Sequence, residues 1–88
     1  GGLKSLTGLS LGSNELANFP VKIGQLKNLK SLSLRYNKLT SLPSEIRELK
    51  GLTSLDLAGN EFTSLPAEIG ELKSLTGLSL EDNQLGKT

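Results

Sequence analysis

Four asparagines stand 23 residues apart, at Asn14, Asn37, Asn60 and Asn83. An amide side chain both donates and accepts hydrogen bonds. Such a row is either a ligand-binding ladder or a set of groups that satisfy the backbone where the chain turns. The structural reading is the stronger: stacked at strand spacing, each Asn satisfies its own turn and the next. Lys4, Lys27, Lys50 and Lys73 form a second row. Alone it would suggest phosphate binding. Glu48 and Glu71, two residues before the last two lysines, make it a charge-balanced, solvated face. Glu81, Asp82 and Asn83 offer carboxylate and amide oxygens, but three neighbours do not supply the roughly six to eight ligands that calcium takes. Histidine and cysteine are absent. The commonest general base, the commonest metal ligand, a thiol nucleophile, thiolate zinc sites and disulfides go with them. No glycine-rich phosphate loop precedes a helix. The chain therefore reads as non-enzymatic and without a cofactor.

Length and charge narrow the classes further. The 88 residues suffice for one small domain, and the net charge of +1 creates no global field toward nucleic acid or an anionic membrane. No apolar run is long enough to span a bilayer, no signal-peptide pattern opens the chain, and there is no glycosylation sequon. With cysteine absent, these features favour a cytoplasmic location as the expectation.

The elements that must carry these rows follow from a single period. Leu9, Leu32, Leu55 and Leu78 share a register, as do Leu11, Leu34, Leu57 and Leu80. Further columns are Pro20, Pro43 and Pro66; Ile23, Ile46 and Ile69; and Leu3, Leu26, Leu49 and Leu72. The units run 6–28, 29–51 and 52–74, with partial units at 1–5 and 75–88, all in one domain. In each unit a Leu-x-Leu segment alternates apolar and polar, as a strand with one buried face does. Each Pro is followed by apolar residues at every third position, which predicts a short 3₁₀ or loose helical turn with Pro in its first position. Glu45 early and Lys50 late suit the dipole of that turn. Gly24 and Gly70 limit two of the turns to a turn or so. Phe19 and Phe62 occupy leucine columns and belong to the core.

The pattern LxxLxLxxNxLxxLPxxIxxLxx resembles the leucine-rich repeat family, in its 23-residue class with Leu-Pro and Ile-x-x-Leu, over essentially the whole chain. The resemblance implies an α/β right-handed solenoid, with a parallel sheet on the concave face and short helical turns on the convex face. It also implies a protein-interaction module, as in the Ras-suppressor-like and Scribble-like scaffolds and many bacterial proteins. The physics agrees, since one unit cannot bury its leucines alone and stacked units can.

Strand residues that point away from the core are the binding candidates. Most are Ser, Gly or Thr. The exceptions are Lys30, Arg35 and Tyr36 in the second unit, Asp56 in the third, and Glu81 and Asp82 in the fourth. Tyr and Arg are the types enriched at binding hot spots. Arg35 is also placed to meet Asp56 on the adjacent strand. The projected concave face is only about 200–300 Å², from strand spacing and rise. A standard interface buries about 800 Å² per partner.

Neither end shows a recognisable capping unit, so both outer strands are expected to be unpaired edges. Leu3, Leu78, Leu80 and Leu85 would then lie open, and the chain would self-associate through them as a homo-oligomer. Two expectations result. The chain is a protein-binding module cut from, or patterned on, a larger repeat protein, with no nucleic-acid or membrane role. Alternatively, it is a structural unit whose partner is another copy of itself.

Overall fold

The computed structural model describes residues 7–13, 15–64 and 66–85. Leu3, Lys4, Asn14 and Leu65 lie outside the described residues. Four three-residue strands, β1 (Gly8–Ser10), β2 (Ser31–Ser33), β3 (Ser54–Asp56) and β4 (Gly77–Ser79), form one parallel sheet in sequence order. Three 3₁₀ turns, η1 (Val21–Gln25), η2 (Ser44–Glu48) and η3 (Ala67–Glu71), pack side by side and connect the strands.

The period of the sequence sets the register of the sheet. Leu9 pairs with Leu32, Leu32 with Leu55, and Leu55 with Leu78. The strands centre on these leucines and end one residue before the second leucine column. The backbone ladder nevertheless continues past them: Leu11, Leu34 and Leu57 donate to Ser33, Asp56 and Ser79, each at 2.8 Å.

The three-residue spacing after each Pro is a hydrogen-bonding period as well as a packing period. Ile23 donates to Pro20, Leu26 to Ile23, and Leu29 to Leu26, at 3.0, 2.9 and 3.0 Å. The same chain recurs from Pro43 to Leu52 and from Pro66 to Leu75. Side chains three apart eclipse in a 3₁₀ turn, so Ile and Leu at this spacing all face inward. Pro stands as the N-cap, one residue earlier than the first helical position expected from the sequence. Its carbonyl serves as the first acceptor while its missing N–H is not needed. Lys50, expected in the last turn of η2, lies just beyond it, where its N–H donates to the Glu48 carbonyl at 2.9 Å.

The core lies between sheet and turns, and is densest in the central unit. Leu29, Leu34, Leu39, Ile46, Leu49, Leu52, Leu57 and Phe62 are wholly enclosed, and Phe19 is buried with them. Among the described residues, Asn37 and Asn60 are the buried polar ones. Asn60 Nδ2 donates to the carbonyls of Leu34 at 2.9 Å and Leu57 at 3.0 Å, and its Oδ1 accepts from the Leu39 N–H at 3.0 Å. Asn37 makes the matching bonds to Leu11, Leu34 and Leu16, and Asn83 to Leu57, Leu80 and Phe62. The asparagines are structural, as expected, with one correction. Asn37, Asn60 and Asn83 each tie their own turn to the preceding unit, not to the following one. Among the described residues no buried side-chain polar atom lacks a partner.

Candidate functional site

The turn that carries each Asn also fixes the conformation of the residue before it. Ser13, Tyr36, Gly59 and Asp82 occupy equivalent positions, and all have positive φ, between 56° and 72° with Glu15 included. The left-handed region costs a non-glycine residue about 1–2 kcal/mol. Gly is free of that cost and Asp is eased by its short polar side chain, whereas Tyr36 at φ 57° is the bulkiest member of the column. It stays there because its N–H donates to the Ala58 carbonyl at 2.9 Å and Asn37 holds the turn from inside.

That conformation aims the Tyr36 ring at Gly59 on the next unit. A Cβ built on Gly59 would clash with Tyr36 Cδ1 and stand 2.7 Å from Cε1, so the ring occupies a notch that only glycine leaves open. On its other neighbour, the Arg35 guanidinium carbon stands 5.4 Å from the ring centroid, within cation–π range. Arg35 in turn donates from its terminal nitrogen to Asp56 Oδ2 at 2.9 Å. Asp56 Oδ1 accepts from the Ala58 N–H at 3.1 Å, which fixes the carboxylate. Tyr36, and then Asp56, hold the Arg35 guanidinium still more firmly protonated than usual. Tyr36 is 52% exposed, so the assembly faces solvent while its members are fixed.

The structure thus brings together Arg35, Tyr36 and Asp56 and leaves two other sequence candidates apart. Lys30 lies at the opposite end of β2, where a Cβ on Gly51 would stand 3.3 Å from its Nζ. Glu81 shares the Arg35 column but is two units away, with the buried Ala58 between them. Its carbonyl accepts from the Gly59 N–H at 2.9 Å. Gly59 is the residue that sequence reasoning missed. The signal was present in the Gly59-Asn60 and Asp82-Asn83 pairs, which are turn dipeptides in the register of Tyr36.

At the β4 side, Leu78 is 37% and Leu85 41% exposed. Leu80, expected to lie open with them, is instead partly buried against the core. No group of three or more acidic, His or Cys side chains able to hold a metal occurs among the described residues. No helix among them is long and apolar enough to cross a membrane.

The family model for a leucine-rich repeat region matches residues 1–87. The chain is a leucine-rich repeat protein. Two solved structures show the same fold. A leucine-rich repeat protein of Leptospira interrogans (LIC12759) is 40% identical, with a TM-score of 0.81 over 94% of this chain. The leucine-rich repeat domain of the type III effector XCV3220 (XopL) is 32% identical, with a TM-score of 0.77 over 90% of this chain. The leucine-rich repeat chain spans 27% of the length of each. No curated protein matches it.

Proposed function

We propose that the chain is a non-enzymatic protein-interaction module whose contact surface centres on Arg35, Tyr36 and Asp56. The observation that carries this reading is the Tyr36 ring, half-exposed yet seated in the Gly59 notch and flanked by Arg35. A rigid aromatic-guanidinium pair of this kind is a hot-spot composition. Its geometry is set before a partner arrives, so little ordering entropy is lost on contact. The test is selection of binders from a displayed library of protein fragments, followed by Arg35→Ala and Tyr36→Ala. Binders should lose at least about tenfold in affinity, which is about 1.4 kcal/mol. Binders indifferent to both changes but sensitive to Arg47→Ala in η2 would overturn the reading.

A second reading has its own observation. Leu78 and Leu85 are exposed beside β4, whose outer edge pairs with no strand among the described residues. A free parallel edge with exposed leucines favours association with a second copy. Light scattering at high micromolar concentration should then give a mass above that of one chain. Leu85→Glu should return it to one chain, and Tyr36→Ala should not.

A further inference from the structure

The face formed by the three turns is not uniform. Gly24 lets η2 close on η1, for a Cβ there would stand 2.9 Å from the Glu45 carbonyl oxygen. Arg47 holds the equivalent position in η2, one period later. Its side chain takes the space that glycine leaves, and η3 packs less closely on η2 than η2 does on η1. A cleft of about 320 Å³ opens there, lined by Ser44 and Arg47 on one wall and by Ala67, Glu68 and Glu71 on the other. Arg47 is turned back on its own turn, with its Nε 3.4 Å from the Ser44 carbonyl oxygen.

Charge divides along the same face. η1 carries Lys22 and no acid, whereas η3 carries Glu68 and Glu71 and no base. None of the three enters an ion pair among the described residues. Lys27, Lys50 and Lys73 follow the turns in every unit, so they do not distinguish the two ends. We propose that this face binds a second copy of the chain about a two-fold axis. Each η1 seats in the η2–η3 cleft of the other copy, with its Lys22 between Glu68 and Glu71. A two-fold contact needs a surface complementary to itself. A basic ridge at one end of a face and an acidic cleft at its other end meet that need, because the rotation that seats one pair seats the other. The two carboxylates of the cleft outnumber the Arg47 guanidinium, so an entering lysine is attracted on balance. Each turn is only about 10 Å long, and three of them offer far less than the roughly 800 Å² of a standard interface. The dimer is therefore weak, carried by charge and sensitive to salt. It uses neither the sheet face nor the β4 edge.

The test takes the Leu85→Glu chain, so that the β4 edge does not contribute, at about 1 mM, where so weak a contact is populated. In about 10 mM salt, where charges act over roughly 30 Å, sedimentation equilibrium should give an average mass above that of one chain. Salt at about 1 M should return it to one chain. Backbone amide shifts that grow with concentration should fall on η1, η2 and η3, and not on Ser33 or Ser54 of the sheet. Lys22→Glu alone, and Glu68→Lys with Glu71→Lys, should each weaken association at least about tenfold, because the two-fold axis repeats every charge reversal. An equimolar mixture of these two variants has opposite charges at both contacts. It should associate within about threefold of the parent. A parent that stays a single chain, a Lys22→Glu variant that associates like the parent, shifts confined to the sheet, or a mixture that stays dissociated overturns the proposal. If the salt-sensitive dimer is absent while the unmodified chain still associates through Leu85, this contact fails and the β4-edge reading stands.

Discussion

A single amide, Asn60, closes three gaps in the backbone of the central turns. It supplies the acceptor for Leu39 and donors for Leu34 and Leu57, all in surroundings without access to water. Asn60→Ala leaves those groups unpaired, and a buried unpaired group costs about 1–3 kcal/mol. Urea unfolding should show a loss of about 2–4 kcal/mol, and a loss no larger than that of a surface change would contradict the role assigned to Asn60. Gly59 is a second test at this scale. Gly59→Ala meets both the Tyr36 ring and a φ of 72°. It should cost about 1–2 kcal/mol from the backbone alone. Tyr36 is the one tyrosine, and there is no tryptophan. Its fluorescence therefore reports the displacement of the ring directly, and an unchanged spectrum would remove Gly59 from the site.

At the scale of elements, two glycines at the same register have opposite environments. A Cβ on Gly24 would stand 2.9 Å from the Glu45 carbonyl of η2, whereas one on Gly70 meets nothing within 4 Å. Gly24→Ala must push η1 and η2 apart and should cost about 1–3 kcal/mol. Gly70→Ala only restricts the unfolded chain, and should be neutral or stabilise by up to about 1 kcal/mol. Thermal melts of the two variants decide this, and equal shifts would contradict the packing of η1 on η2. The sequence could not distinguish these glycines, since each appears only as a weak helix former. Across the same turns Lys27 meets Glu48 at 2.8 Å, with both side chains largely exposed. Lys27 holds the Glu48 carboxyl below the ordinary carboxylate range. A carboxyl lowered in the folded state contributes stability above its unfolded pKa, and that contribution is lost as pH falls through the folded value. Glu48→Gln should therefore lower stability slightly at neutral pH, leave it unchanged at a pH below the folded value, and so flatten the acid limb of a stability-against-pH curve. Salt at about 1 M should have the same effect on the unmodified chain.

For the molecule as a whole, stability is a sum over units and the contacts between them. Leu55 lies at the centre of β3 and is 1% exposed. Leu55→Ala should cost about 2–5 kcal/mol, a large share of the total for so short an array. Ser33→Ala, on the open side of β2, should leave the far-ultraviolet melt unchanged. The reverse result would mean that the strands face the other way. The solenoid was legible in the sequence because its Leu, Ile, Pro and Asn columns each answer a local physical demand that recurs every 23 residues. The site was legible only in part. Arg35 and Asp56 are neighbours by register, which the period supplies. The seat of Tyr36 depends on a backbone sign and on the absence of a side chain at Gly59, neither of which a hydrophobic pattern encodes. The asparagine ladder has a direction, since Asn37, Asn60 and Asn83 all reach back to the unit before their own. A ribosome releases the chain in that same order. Each newly emerged turn therefore carries its own fastener, and the groups that wait for it, such as the Leu39 N–H, belong to the unit made just before.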